Sequence, residues 1–168
     1  YNHLLVAALA RAGADVELLT SGFIYGPVPT PVGYQARHCF YRRSSAVGRY
    51  SRLRLPLKGA AHVPNMLSVR RRLRAADVVH WQWVALPWAD WLLVGPRPAG
   101  RPRVFTLHYP LPNPSDARGL AAQRRLLSRF DAVISHTRSG AERLVADVGL
   151  PRSLVHVIPH GPLDYLPE

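Results

Sequence analysis

Val104-Phe105-Thr106-Leu107-His108 is a short apolar run that ends in a histidine. The same pattern recurs at Asp77-Val78-Val79-His80, at Ala132-Val133-Ile134-Ser135-His136 and at Val155-His156-Val157-Ile158-Pro159-His160. Continuous apolar runs separated by helix-length segments are typical of strands in a parallel sheet that helices cover on both faces. The sequence therefore predicts an α/β fold with a mainly parallel sheet.

The histidines of these runs lie at or just after the carboxyl ends of the predicted strands. In open α/β sheets, ligands bind just outside the carboxyl ends of the strands. Each imidazole offers a donor, an acceptor and a pKa near neutrality. We therefore expect His80, His108, His136 and His160 to lie at one ligand-binding edge of the sheet.

The rest of the chain alternates between helical and extended patterns. Apolar spacing predicts helices over residues 2–12, 63–75, 86–94, 119–130 and 139–148, the last opened by a capping box of Ser139 and Glu142. Strands are predicted over residues 16–20, 34–41, 78–80, 104–107, 132–135 and 154–158, with residues 42–54 as a mobile basic loop and a turn at Gly95 and Pro96. Because a helix comes before the first strand, we expect that one domain over residues 1–168 lacks its first strand and the loop that follows it.

Composition limits the classes of protein that remain. The 168 residues are 48% hydrophobic, which is enough for the core of one domain. A single cysteine, Cys39, excludes an internal disulfide framework and a Cys-based zinc site, and it suits a reducing compartment. The longest apolar stretch, residues 81–95, is broken by Pro87 and Asp90, so we expect no membrane-spanning helix and a cytoplasmic protein.

The chain is strongly basic, with 22 Lys and Arg against 10 Asp and Glu and a net charge of +12. Such a charge favours polyanions such as nucleic acid, an anionic membrane surface or phosphorylated substrates, although it is also compatible with Arg-rich solvated faces. The candidate basic residues are Arg42, Arg43, Arg49, Arg52, Arg54 and the cluster from Arg70 to Arg74. One hypothesis is therefore a basic module that binds nucleic acid or an anionic surface, but no RRM, KH or helix-turn-helix pattern is visible.

Common catalytic motifs are absent, including Walker A, G-x-G-x-x-G, H-E-x-x-H, G-x-S-x-G and EF-hand patterns. His108 is the sharpest candidate because a stiff Pro-rich loop follows it, although it is equally compatible with a bond to loop backbone. In His80-Trp81-Gln82-Trp83, the two indole rings suit either an acceptor pocket or the core. His136 suits either local capping or an anion site at the next helix, and among Asp116, Asp131 and Asp164 we expect a structural role for Asp131.

Three segments together resemble the N-terminal domain of family 4 glycosyltransferases, which have the GT-B architecture. They are Phe105-Thr106-Leu107-His108, then residues 130–137, Phe130-Asp131-Ala132-Val133-Ile134-Ser135-His136-Thr137, and finally residues 155–162, which contain Ile158-Pro159-His160-Gly161. The last segment is the most specific, and the resemblance extends roughly over residues 2–166. It implies one Rossmann-like half of a two-domain enzyme.

The resemblance also implies a function. It would be the acceptor-binding half of a retaining glycosyltransferase of hexosyltransferase type, which moves a sugar from a nucleotide-sugar co-substrate to a glycan or a lipid-linked acceptor, with no metal and no other cofactor. His108 matches the histidine of the family's cleft and is the predicted catalytic residue. We expect His80, Trp81, Tyr109, His136, Arg138, His160 and Gly161 to contact substrate.

Further expectations follow from what the resemblance does not cover. The Gly-rich first loop and the donor-binding domain of the family are missing from this sequence, so we expect residues 1–168 alone to be inactive. The Arg-rich loops suit peripheral contact with the inner face of an anionic membrane, and nucleic acid is not expected. A different Rossmann-like nucleotide enzyme, such as a dehydrogenase, is the remaining alternative. His62 is expected to tolerate substitution.

Overall fold

The structure, a computed structural model, describes residues 1–23, 26–47, 50–95 and 100–161. Its contacts divide the chain into two units, Tyr1–Arg72 and Leu73–Glu168. The strand pairings in both units are parallel, and helices connect most of the strands. The predicted α/β class with parallel pairing is therefore confirmed.

The first unit contains helices α1 (Asn2–Arg11), α2 (Arg42–Ala46) and α3 (Arg54–Arg72) and strands β1 (Glu17–Ser21) and β2 (Gln35–Phe40). Glu17 of β1 lies opposite Gln35 of β2, and Arg37 forms an ion pair with Glu17. The prediction that β1 joins the later strands in one sheet is wrong, because β1 and β2 form a two-stranded sheet of their own. The unit therefore has its own strand pair.

The basic segment after β2 differs from the prediction of a mobile loop. It contains α2, and α3 begins at Arg54 rather than at residue 63 and continues through Pro64. Tertiary contacts explain the longer helix: the Tyr41 hydroxyl is hydrogen-bonded to Nδ1 of His62 at 2.6 Å, and the Tyr41 backbone N–H donates to Oδ1 of Asn65 at 2.6 Å. Arg49 and the side chain of Arg43 lie outside the described residues.

The second unit contains a four-stranded parallel sheet in the order β3-β4-β5-β6. Its elements are β3 (Val79–Trp81), α4 (Pro87–Val94), β4 (Arg103–Leu107), α5 (Ala117–Leu127), β5 (Ala132–Ser135), α6 (Arg138–Ala146) and β6 (Val155–Val157), with short 3₁₀ turns at Leu73–Ala75 and Arg152–Leu154. These bounds agree with the predicted strands to within one or two residues. Gly95 and Gly149 follow α4 and α6 with φ of 75°, whereas Pro96 of the predicted turn lies outside the described residues.

Burial along β4 shows that both faces of this sheet are covered. Phe105, Thr106 and Leu107 are consecutive and all buried, while successive side chains of a strand point to opposite faces. Phe105 also packs against the fully buried Phe130, with their ring centroids 5.1 Å apart. The sheet thus has core side chains packed against both of its faces.

The register of the strands sets the geometry of the carboxyl edge. Leu107 of β4 lies opposite Ser135 of β5, and Ser135 lies opposite Val157 of β6. The N–H of Ile158 continues this ladder by donating to the carbonyl of Ser135 at 3.0 Å. The residues that follow these strand ends therefore emerge side by side.

Candidate active site

A cavity of about 410 Å³ opens at the carboxyl edge of β4, β5 and β6. It is formed by the end of β4 and the loop after it, by the end of β5 with the start of α6, and by the segment after β6. Its lining residues are Leu107, His108, Tyr109, Pro110, Leu111, Ser135, His136, Thr137, Ser139, Gly140, Arg143 and His160. A polar cavity at this edge is what a ligand site in a parallel sheet requires.

Three histidines meet in this cavity. The ring centroids of His108 and His136 are 5.0 Å apart, and those of His136 and His160 are 4.8 Å apart. One nitrogen of each ring lies within 4.8 Å of one nitrogen of the others. The strand register explains the contact, because His108 and His136 directly follow the paired residues Leu107 and Ser135.

A chain of hydrogen bonds connects His108 to β3. The Nε2–H of His108 donates to Oε1 of Gln82 at 2.6 Å, since an amide oxygen only accepts. The Gln82 amide nitrogen donates to Nε2 of His80 at 2.9 Å, and the buried Thr106 hydroxyl lies 2.7 Å from the same nitrogen. His80 therefore supports His108 through Gln82, and the lone pair of the His108 ring is on Nδ1.

The electrostatics of the cavity keep His108 neutral. Burial lowers the pKa of His108 to about 4, with further lowering by the neighbouring His136, His160 and His80. Burial also lowers the pKa of His80. Among the described residues that line the cavity there is no Asp or Glu to favour an imidazolium. At neutral pH, His108 is thus an uncharged ring whose Nδ1 is able to accept a hydrogen bond.

Aromatic rings form one side of the site. Trp83 stacks on His108 with ring centroids 5.3 Å apart and an interplanar angle of 17°, and 57% of Trp83 is exposed. Tyr109 packs edge-on against Phe105, and its hydroxyl accepts a hydrogen bond from Nε2 of Gln123 at 3.1 Å. Burial raises the pKa of Tyr109, so its phenol stays protonated.

The Pro-rich loop after His108 is attached to α6. The Nη2 of Arg143 donates to the carbonyl of Pro112 at 2.6 Å, while its Nε donates to Oδ2 of Asp147 at 2.7 Å. The predicted loop over residues 108–116 is confirmed, since the structure shows neither helix nor strand there. Arg143 therefore holds two walls of the cavity together.

The start of α6 differs from the predicted capping box. Thr137 is the N-cap, and its hydroxyl accepts from the N–H of Gly140 at 3.0 Å. His136 does not cap the helix, because its Nδ1–H donates to the carbonyl of Ile158 at 2.9 Å. A Cβ at Gly140 would lie 2.5 Å from Oγ of Ser135, so glycine lets α6 approach β5 closely.

The other predicted residues lie in different surroundings. Arg138 is exposed and lines a separate cavity of about 370 Å³ with Glu142, Arg152 and Val157. Trp81 is half-buried and is not among the described residues lining the histidine cavity, whereas Gly161 contributes its carbonyl as the acceptor of Nδ1 of His160 at 3.0 Å. Of the predicted substrate contacts, Tyr109, His136 and His160 thus line the histidine cavity together with His108. His80 is connected to His108 by hydrogen bonds through Gln82.

The acidic candidates are structural where the structure describes them. Asp131 accepts from the backbone N–H of Arg103 at 2.9 Å, as predicted, and Asp116 caps α5 by accepting from the N–H of Gly119 at 2.9 Å. Asp164 lies outside the described residues. Neither described aspartate is among the residues that line the histidine cavity.

Gln82 and Arg143 were not among the site residues expected from the sequence, and Trp83 was considered only as one of two indole rings that suit either an acceptor pocket or the core. The alternation of a strand was the available signal for Gln82, because residues 80 and 82 point to one side of β3 and its extension. The pair of Arg143 and Asp147, four residues apart on α6, was the signal for a fixed guanidinium. The stacking of Trp83 on His108 had no local signal, since it depends on where β3 and β4 end.

A parallel α/β unit with a polar cavity at its carboxyl edge defines a Rossmann-like ligand-binding domain. Residues 1–162 match the family described as Glycosyltransferase Family 4, so this chain belongs to that family. A comparison with curated proteins gives no match. The predicted family is therefore confirmed, and with it a glycosyltransferase-type function on a sugar donor and an acceptor.

Proposed function

We propose that this chain is the acceptor-binding half of a retaining glycosyltransferase of hexosyltransferase type. It would transfer a sugar from a nucleotide-sugar donor to a glycan or a lipid-linked acceptor. This proposal rests mainly on the position of His108 in the cavity at the end of β4, where a hydrogen bond from its Nε2–H to Gln82 holds the ring. A ring held in this way is preorganised to contact reacting groups.

In this proposal, His108 orients a substrate hydroxyl rather than acting as the base. Its Nε2–H is bonded to Gln82, so Nδ1 is the atom that accepts a hydrogen bond from a sugar or acceptor hydroxyl. A ring with a pKa of about 4 is a weak base at neutral pH. The proton of the attacking hydroxyl would therefore pass to the departing phosphate of the donor.

The aromatic wall suits a sugar ring. Trp83 is half-exposed beside His108, and an indole combines a broad apolar face with a polar edge. The C–H face of a pyranose would stack on such a ring, while its hydroxyls reach the imidazoles. The residues that would contact substrate are Trp83, Tyr109, His136 and His160, with His108 closest to the reacting atoms.

The donor side would require a second domain. The cavity is lined by histidines, one arginine and hydroxyl groups, with no carboxylate among its described residues to bind ribose or sugar hydroxyls. We therefore expect that residues 1–168 bind acceptor but do not catalyse transfer alone, and that activity resides in a protein that also carries a donor-binding domain.

The experiment uses the full-length protein with UDP-glucose, UDP-galactose and GDP-mannose, lipid extract or glycan as acceptor, and release of nucleoside diphosphate as the readout. His108→Ala should lower kcat by about a hundredfold or more, the scale of losing one preorganised contact in the transition state. The exposed His156 gives the control His156→Ala, which should keep normal kcat. A His108→Ala enzyme with near-normal kcat would contradict the proposed role, and NMR of the product's anomeric configuration tests retention.

A second part of the proposal concerns contact with an anionic membrane surface through α3. Val63, Leu67, Arg70 and Arg71 follow helical spacing on one exposed face of this helix. Exposed apolar side chains next to arginines are typical of helices that lie on anionic lipid. None of the described helices is long and apolar enough to cross a membrane.

Vesicle co-sedimentation tests this contact. The protein should pellet with phosphatidylglycerol-containing vesicles at low salt but not with neutral phosphatidylcholine vesicles, and added salt should release it. Arg70→Glu with Arg71→Glu should weaken binding by about tenfold or more. The double variant Arg118→Glu with Arg125→Glu has the same net charge and changes exposed arginines of α5, so equal losses in both would attribute binding to charge alone.

A further inference from the structure

The histidine cluster has the chemistry of a metal site as well as that of a substrate site. We propose that His108, His136 and His160 bind one divalent transition-metal ion, with zinc as the probe. One nitrogen of each ring lies within 4.8 Å of one nitrogen of the other two. The family resemblance had led us to expect no metal at this site.

The hydrogen bonds that the three rings donate to protein oxygens support this proposal. In metal sites, a ligating histidine almost always donates its other ring N–H to a carbonyl or carboxylate oxygen. Here His108 donates to the side-chain oxygen of Gln82, His136 to the carbonyl of Ile158, and His160 to the carbonyl of Gly161. Every ring of the cluster thus has this second interaction, which leaves the lone pair on the remaining nitrogen of each.

The spacing also suits an ion after a small movement. Zinc–nitrogen bonds of about 2.0–2.1 Å in a tetrahedral site require nitrogens about 3.3 Å apart. His108 and His136 are fixed by the register of β4 and β5, whereas His160 is exposed and follows the end of β6. We therefore expect the His160 ring to move towards the other two rings, so that all three nitrogens can bind the ion.

The ligand set indicates which ions would bind. Three neutral imidazoles favour zinc, copper, nickel or cobalt, whereas magnesium and calcium require oxygen ligands. The open cavity leaves a fourth position for water or an anion. An ion on Nδ1 of His108 would occupy the atom that the proposed function assigns to a substrate hydroxyl, so the two uses of the site would compete.

The inference does not depend on sugar transfer and is tested without it. Untagged full-length protein is treated with chelator, dialysed and titrated with zinc sulfate in a calorimeter. We expect one equivalent to bind and magnesium chloride to give no heat of binding. Zinc binding should weaken by at least about tenfold in each of the variants His108→Ala, His136→Ala and His160→Ala. The loss of a ligand should weaken binding at least as much as the loss of the residue that accepts the ligand's other N–H.

The matched control is His156→Ala, an exposed histidine of β6 outside the cluster, which should bind zinc normally. Because His160 is exposed, His160→Gln should fold even where the other variants do not. Zinc should raise the midpoint of thermal unfolding of the natural protein but not of His160→Gln. Absence of zinc binding, or equal binding by the natural protein and the folded cluster variants, would overturn the proposal whatever the result of the transfer assay.

Discussion

His108 donates its Nε2–H to the side-chain oxygen of Gln82 at 2.6 Å, and Gln82 lies just beyond the neighbouring strand. The same amide donates to His80, so one side chain determines which nitrogen of each ring carries a proton. This places the lone pair of the His108 ring on Nδ1 through a hydrogen bond to an amide oxygen. The chemistry of the cavity therefore depends on a residue that does not line it.

The first prediction concerns the titration of His108 in chelator-treated protein. Burial, followed by the charges of His136, His160 and His80, lowers its pKa from 6.5 to about 4. Between these two pH values the unfolded chain binds a proton at His108 that the folded chain does not bind. The contribution of His108 to stability is therefore complete above pH 6.5 and is lost as the pH falls towards 4.

Histidine-ring NMR across this range checks the prediction, and it should show a neutral His108 at pH 5.5, a value chosen between those two limits. The exposed His156 provides the internal reference in the same spectra. A His108 ring that is already protonated at that pH would show that burial does not keep the ring neutral.

The second prediction concerns the charge at position 82. Gln82→Glu would put a carboxylate against Nε2 of His108, so the pKa of His108 should rise by about 1–3 units. Gln82→Met removes the amide without adding charge, and burial should then keep the pKa of His108 low. The same NMR titration distinguishes the variants, and equal pKa values in both would contradict the electrostatic explanation.

The third prediction concerns Arg143, which joins the Pro-rich loop to α6. Arg143→Ala should lower the free energy of unfolding by about 1–2 kcal/mol, because it removes a charged hydrogen bond to Pro112 and a partly exposed ion pair to Asp147. Amide hydrogen exchange over residues 108–116 should also become faster. Asp147→Asn retains the bond to Pro112, so exchange in the loop should stay slow in that control.

The fourth prediction reverses an expectation from the sequence. His62 was expected to tolerate substitution, but it is only 6% exposed and is stacked on and hydrogen-bonded to Tyr41. His62→Ala should therefore destabilise the chain by about 2–3 kcal/mol, measured by denaturant unfolding. His156→Ala should stay within about 0.5 kcal/mol of the natural protein, and a similar loss in both would refute the assignment.

The sequence predicted the strands of the second unit well because each is a short apolar run, and β4 among them is buried on both faces. The run ending at Ser135 was predicted with the observed bounds, since none of its residues is exposed and the strand leaves a continuous apolar pattern. It failed for the start of α3, because residues 54–62 contain a glycine, a proline and mixed polarity. Tyr41 contacts His62 and Asn65 near the middle of this helix, and a local pattern does not contain these contacts.

The site was predictable where it depends on strand ends. His108, His136 and His160 were expected at one edge, and the parallel register brings them together. The structure adds Trp83, which stacks on His108, and Arg143, which lines the cavity, and neither position could be predicted locally. Both positions depend on where the strand and the helix begin and end, and the local pattern predicts these bounds only to within one or two residues.

Gly140 has a consequence for the mechanics of this domain. Where any other residue would carry a methyl group, the backbone of α6 rests on the hydroxyls of Ser135 and Thr137. The start of α6 therefore packs closely against the end of β5, next to the strand end that His136 follows. Adjustment to substrates of different size would instead depend on His160, which follows the last strand on an exposed segment.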